Sequence, residues 1–267
     1  TEVDGERSSI KTKHPLLGDP AVRQALALLV DRNAVQKYVY GRTGVATGNF
    51  INNPPRFVSK DTHWEFSIAK ANEVLDQAGW KRGADGIRAK DGKRLKFLFQ
   101  TAINAPRQKN QEIVKQACQK AGIEMELKSV VASVYFSSDV ANPDTYGHFT
   151  SDLQMYTTTM TEPDPARFMR QFLTSEVAAK ANKWQGRNIT RWRNAEYDAA
   201  YAAAEGELDP VKRAALFIKM NDLVVNDHVV IPDVYRPRVS GVARRLKPHL
   251  SGWDNDVWDL RNWYRET

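Results

Sequence analysis

The residues of this chain best suited to hold a ligand lie together in Asp152-Leu-Gln-Met-Tyr-Thr-Thr-Thr-Met-Thr-Glu-Pro-Asp-Pro-Ala-Arg-Phe. Three consecutive hydroxyls, Thr157, Thr158 and Thr159, donate and accept hydrogen bonds, and Tyr156 adds a phenol. Glu162 and Asp164 follow with two carboxylates. This is recognition chemistry, because two acids close in sequence do not by themselves define a general acid and a general base. The threonines equally suit a turn, where hydroxyls bond the chain's own backbone. No residue is assigned a catalytic role. The five histidines are scattered, with no HExxH and no paired spacing for a metal. Asp254, Asp256 and Asp259 fail as a calcium loop, since Trp258 stands where the fifth position needs a ligand. Gly41, Gly44 and Gly48 lack both the ending of a P-loop and the spacing of a dinucleotide fingerprint. No metal and no cofactor is expected.

The elements around this segment must place it. A strand ending near Tyr156 hands over to the polar loop, and Pro165 opens a helix toward Phe172 and Leu173. Loops at the carboxyl ends of strands are where α/β folds bind ligands. Upstream, Asp19 caps a helix begun by Pro20 and carrying Val22, Ala25, Leu26 and Leu29 on one face. Asp31 caps a second helix with Val35, Tyr38 and Val39, which Gly41 stops. The segment from Ser67 to Gly79 makes a third helix. The turn Lys90-Asp-Gly-Lys then joins a hairpin whose second strand alternates Leu95, Phe97 and Phe99 against Lys96 and Leu98. A helix from Pro106 to Ala121 and a strand from Ile123 to Val131 follow. Further on, Asn194 caps a helix with Tyr197, Ala200, Tyr201 and Ala204, and Asp209-Pro opens another with Leu216, Met220, Leu223 and Val224 along one side. An apolar strand, Val229 to Val234, comes after it.

Composition sets wide bounds. The 267 residues, 42% hydrophobic and 27% charged, are those of a globular chain with a sizeable core. The longest apolar run, Ala25 to Val30, is far short of the ~20 residues that span a bilayer. A net charge of +7 raises nucleic acid as a partner. The cations are spread, however, and the group Lys81, Arg82, Arg88, Lys90, Lys93, Arg94 and Lys96 reads as a solvated face around the hairpin. No nucleic-acid module frames the best stacking candidate, Lys183 to Arg193, so no nucleic-acid partner is expected. The single Cys118 excludes an intrachain disulfide and reads as a packed small side chain.

The order of these segments resembles the family 5 extracytoplasmic solute-binding proteins, the dipeptide, oligopeptide and nickel-binding cluster that serves ABC importers. The resemblance rests on DPAVRQALALLVDRNAV, SIAKANEVLDQAGW, DGKRLKFLFQT, IVKQACQKAGIEMEL, DLQMYTTTMTEPDPARF, NAEYDAAYAAAEGELDPVKRAALFIKMNDLVV and VVIPDVYR, taken together. It implies an α/β fold with a mixed sheet flanked by helices, the C-terminal lobe of a two-lobed periplasmic-binding-protein-like architecture. It divides the chain into a ligand-binding lobe, 1–238, and a tail, 239–267, that the family sends back to its N-terminal lobe. That N-terminal lobe is absent here, so the sequence reads as a C-terminal fragment, periplasmic by family, with no signal peptide in view. The implied partners are a small peptide or peptide-like solute and ABC permease subunits in the membrane. Trp253, Trp258 and Trp263 with Tyr264 make self-association through the tail a further expectation.

In the family's peptide binders the loop matching 152–168 faces the cleft and presents an aspartate to the ligand's α-amine; here Thr159 stands near that place. A buried ammonium group needs a compensating charge. Either Glu162 or Asp164 supplies it, or the ligand lacks an amine, as an opine or a sugar conjugate does. Asn52, in the Gly48 to Pro55 loop, and Asn188 with Trp192 are carried over as further cleft residues. For Trp192, stacking on a ligand stands beside packing on the helix that follows. The alternatives to a binding protein are a periplasmic enzyme on the same scaffold and a basic nucleic-acid binder.

Overall fold

The fold is described from a computed structural model for residues 2, 3 and 6–267. Helix α1 (Pro20–Leu28) starts where the sequence says it should: the Asp19 carboxylate accepts the Ala21 N–H at 2.9 Å, and Val22, Ala25 and Leu26 are buried. Helix α2 (Ile68–Gln77), capped by Ser67, packs across it. The other oxygen of Asp19 takes the Trp80 indole N–H at 3.0 Å, so one cap also anchors the loop after α2. A small antiparallel sheet of Lys81–Arg82, Arg88–Lys90 and Lys93–Arg94 follows, turned by Asp91 and Gly92, both at positive φ as an Asp-Gly turn requires.

One cation of that sheet departs from expectation. Arg88 is 1% exposed and is no part of a solvated face. Its guanidinium bonds Asp76, the Trp80 and Ala121 carbonyls and the Asn72 side chain, tying the sheet to α2 and to the end of the next helix. Every donor group of the guanidinium is satisfied, so losing a partner would leave a buried N–H without an acceptor.

The chain next builds the element that positions the site. Strand β1 (Lys96–Ala102), helix α3 (Ala105–Lys120), strand β2 (Glu124–Val130) and strand β3 (Leu153–Met155) form a three-stranded parallel sheet in the order β2-β1-β3. The Asp-Gly hairpin therefore closes on Lys93–Arg94 alone, and β1 turns away to pair in parallel with β2 and β3. Leu95 and Phe97 are wholly buried while Lys96 is exposed, as the alternation predicts. Cys118 lies on the buried face of α3, and burial pushes its thiol up to about 12.

Helices α4 (Ala195–Gly206) and α5 (Pro210–Asn226), capped by Asn194 and Asp209, carry a second core around Phe57, Met169, Phe172 and Phe217. Two expectations change. The helix capped by Asp31 is a single α turn, Arg32–Val35, continued as a five-residue π-helix, Gln36–Tyr40, before Gly41 at positive φ, and Tyr38 points to solvent. Of the strand expected over Val229 to Val234 only Val234–Tyr235 pairs, against Val45–Ala46. Upstream of it the Pro232 carbonyl is taken by Arg32 Nε at 2.7 Å, and Pro232 has no N–H to give a ladder. Beyond residue 238 the tail holds one short antiparallel pair, Leu246–Lys247 with Tyr264–Arg265.

Candidate functional site

A cleft of about 1880 Å³ opens at the carboxyl ends of β1 and β3. Strand β3 stops at Met155, whose carbonyl accepts the Thr101 hydroxyl at 2.6 Å, and the chain leaves the sheet there as a loop along the cleft. Asp152, just before β3, fixes its start: one oxygen accepts the Leu98 N–H at 2.6 Å and the other faces His14 Nε2 at 2.9 Å. His14 Nδ1 accepts the Leu16 and Leu17 N–H groups, so Nε2 carries the proton and donates to Asp152. The N-terminal segment and the sheet thus meet on one carboxylate.

The cleft collects Asn52, Tyr156, Thr157, Thr158, Thr159 and Trp192 of the sequence-derived candidates; Glu162, Asp164 and Asn188 are not among its lining residues. Thr157, Thr158 and Thr159 are exposed, and none of their hydroxyls has a protein partner among the described residues. Tyr156 is half-buried, 5.8 Å from the Tyr146 ring, and burial beside that phenol pushes its hydroxyl up to about 12.

The others are occupied by the fold. Asn188 is wholly buried, its Nδ2 donating to the Phe172, Leu173 and Trp192 carbonyls. Asp164 accepts both Arg213 Nε and Nη2 at 3.0 Å and the Ala166 N–H, which opens the turn Ala166–Met169. Burial alone raises its acid, but Arg213 and Ala166 outweigh it and hold the carboxyl below the usual range. Asn52 donates to the Asn49 carbonyl and accepts the Thr47 hydroxyl, fixing its own loop. Trp192 lines the cleft, while its indole N–H donates to Asp227 at 2.7 Å and its ring packs edge-on against Tyr197, on the helix that follows.

Other lining residues were not singled out by sequence. Phe50 stacks on Phe168 at 4.8 Å and meets Phe172 edge-on, giving the cleft an aromatic shelf. Tyr40, Arg107 and Arg236 also line the cleft; burial raises the Tyr40 hydroxyl, and the charges of both arginines oppose that rise. Arg107 had a readable signal, since it lies in the first turn after β1 and so at another strand's carboxyl end. Arg236 had none. Below them Asn110 Nδ2 donates to Asp233, while Asp233 Oδ1 and Asn110 Oδ1 are buried with no protein partner among the described residues. Burial raises the Asp233 acid, against the opposing effects of the Asn110 hydrogen bond and the Arg32 charge. No group of three or more metal-ligating side chains occurs among the described residues.

A parallel sheet thus opens at its carboxyl ends on a large cleft lined by threonine hydroxyls, aromatic rings and arginines. Residues 4–180 match the model of the bacterial extracellular solute-binding proteins, family 5 (middle region), and the chain belongs to that family of extracytoplasmic proteins. Protein XP55 of Streptomyces lividans is 29% identical over 215 residues, which cover 79% of this chain and 36% of that protein. The oligopeptide-binding protein AppA of Bacillus subtilis is 24% identical over 258 residues, 94% of this chain and 45% of that protein. The AppA structure in complex with a nonapeptide superposes over 98% of this chain and 50% of its own, with a TM-score of 0.71 at 22% identity. NikZ of Campylobacter jejuni, in complex with Ni(L-His), gives the same TM-score over 94% of this chain and 50% of its own, at 21% identity. These structures share the fold. The chain spans about a third to a half of the length of the relatives it matches. Among the described residues, no helix is long and apolar enough to cross a membrane.

Proposed function

We propose that this chain supplies one face of the cleft of a substrate-binding component of a peptide-type ABC importer, which captures a small peptide or related solute and delivers it to permease subunits in the membrane. The observation that carries the reading is the loop after β3: it sits at the carboxyl end of a parallel sheet, lines the cleft, and presents three hydroxyls that the fold does not use. In a two-lobed binder the ligand must contact both lobes for its binding energy to shift the closed population. The chain alone therefore binds weakly. The exposed Val257, Trp258, Leu260 and Tyr264 of the tail suit packing against a second lobe, with pairing of two copies as the competing fate.

Residue-resolved NMR titration of the ¹⁵N-labelled chain with trialanine at millimolar concentration tests this. Amide shifts confined to residues 47–53, 101–107, 156–161 and 187–193 support the reading. Shifts scattered over the surface, or none, refute it.

A further inference from the structure

We infer that Asn110 and Asp233 share one proton, as a closed acid–amide pair that joins α3 to segment 231–236 at the cleft and lets go when the carboxyl ionises. This clasp is independent of what the cleft binds. Asn110 stands on the stripe of α3 that lines the cleft, with Pro106, Arg107 and Val114, and Asp233 lies in a second lining segment, 231–236. Asn110 is 3% exposed, and its Nδ2 donates to Asp233 Oδ2. Each side chain has one oxygen left over. Asn110 Oδ1 and Asp233 Oδ1 are both closed to solvent and have no hydrogen-bond partner among the described residues. A buried acceptor left unpaired carries its full desolvation penalty. Because neither oxygen is open to the cleft, no group entering it reaches them in this arrangement. A hydrogen on Asp233 Oδ1, donated to Asn110 Oδ1, satisfies both at once and closes a ring of two hydrogen bonds. Backbone ties hold the carboxyl in place: the Asp233 carbonyl accepts the Thr47 N–H at 3.0 Å, and Val234–Tyr235 pairs with Val45–Ala46.

The surroundings favour the proton. Burial raises the Asp233 acid and Asp31 adds to the rise, while the Asn110 hydrogen bond and the Arg32 charge oppose it without cancelling it. Arg32 is the cation that an ionised Asp233 would need, and it is already committed. It is 3% exposed, with Nε donating to the Pro232 and Thr47 carbonyls at 2.7 and 3.1 Å and Nη1 to the Val30 carbonyl at 3.4 Å. Tyr40 is the other titratable group that this carboxyl influences. Ionisation sends the proton to water and leaves two opposed oxygens, one of them carrying charge, where the O–H had joined them. A buried carboxylate short of a partner must take up water or swing away from Asn110. Either change parts α3 from segment 231–236. Because the folded-state value is raised, the contribution of the pair to stability is complete below the unfolded-state value and is lost as pH rises through the folded one.

Two measurements on the whole chain test this. In the first, the Asp233 Cγ resonance of the ¹³C,¹⁵N-labelled chain, assigned through its own backbone and so needing no variant, is followed by NMR through a pH titration. Its midpoint is expected above the ordinary aspartate value of about 3.9. The amides of 45–47, 107–111 and 231–236 are expected to shift with that same midpoint. In the second, urea midpoints of the parent and of Asp233→Asn are compared from about pH 4 to about pH 8. The substituted amide can accept from Asn110 Nδ2 and donate to Asn110 Oδ1, so it keeps the ring and cannot ionise. The two midpoints are expected to lie closest at the acid end and to part as pH rises, the parent falling. An Asp233 Cγ that titrates at or below the ordinary value refutes the shared proton. Stabilities that change in parallel across the range refute its contribution to holding the fold. If Cγ titrates as expected while the amides of 231–236 stay still, the release is refuted. Should Asp233→Asn fail to fold, the titration of the parent decides alone.

Discussion

The two loops that flank the cleft are built from similar residues and do opposite work. Tyr156 to Thr161 and Asn188 to Arg193 are both rich in hydroxyl, amide and aromatic groups, and both reach the same cavity. In the second loop the polar atoms are spent inside: Asn188 holds three carbonyls, Thr190 donates to Asn188, and Arg191, at φ 59°, reaches back to the loops at 147–148 and 178. In the first loop the hydroxyls of Thr157, Thr158 and Thr159 stay in solvent, and its anchor lies one residue outside it, where Met155 takes Thr101. A polar residue on a cleft loop is a ligand candidate only when the fold has left its donors and acceptors unused. Residue type does not tell the two cases apart; the hydrogen-bond ledger does.

The contrast is sharpest at Asn188. Asn188→Leu removes one buried carboxamide and strands three carbonyls, and should lower unfolding free energy by about 3 kcal/mol or more, read as a shift in urea midpoint at unchanged slope. A loss under about 1 kcal/mol would return Asn188 to the list of ligand contacts. A smaller effect is expected at Asp164, whose carboxylate is 47% exposed in its pair with Arg213. Asp164→Asn should cost about 0.5–1 kcal/mol near neutral pH. Because the folded carboxyl is held below its ordinary range, its contribution is present above the unfolded-state value and is lost as pH falls through the folded one. Acid titrations of stability for Asp164 and its Asn variant should therefore converge at low pH. Smallest of all is the triple change Thr157→Val, Thr158→Val, Thr159→Val, with stability within about 0.5 kcal/mol of the parent. The same variant should lose the trialanine-induced shifts at 156–161, and equal shifts would erase the distinction between the loops.

Much of the scaffold was legible because it is written locally. Asp19, Ser67, Asn194 and Asp209 announce their helices through one carboxylate, hydroxyl or amide each, and all four accept from the first turn. The inward set Leu95, Phe97 and Phe99 fixes which face of β1 meets the core. What stayed hidden depends on partners far away in sequence. Nothing around Arg88 distinguishes it from its exposed neighbours Arg82 and Arg94; its partners at 72, 76 and 121 do. The strand expected at 229–234 was lost to Arg32, some 200 residues upstream. At the cleft, the loop after β3 was readable from its threonines and its position behind a strand, whereas Arg236 reaches the cleft only through tertiary structure.

Those long-range ties also set the order in which the molecule can be finished. Helix α1 needs α2 for its packing, but Arg23 on α1 is bonded to the Asp227 carbonyl and carboxylate, and Arg32 just after it to the Pro232 carbonyl. During synthesis the donors of Arg23 and Arg32 stay unanswered until about residue 232 has been made. Loops of that length close late, after local structure has formed. The long-range pairing of Val234–Tyr235 on Val45–Ala46 therefore acts as a latch on this part of the molecule, and a nascent chain shorter than that has secondary structure but an unfinished cleft.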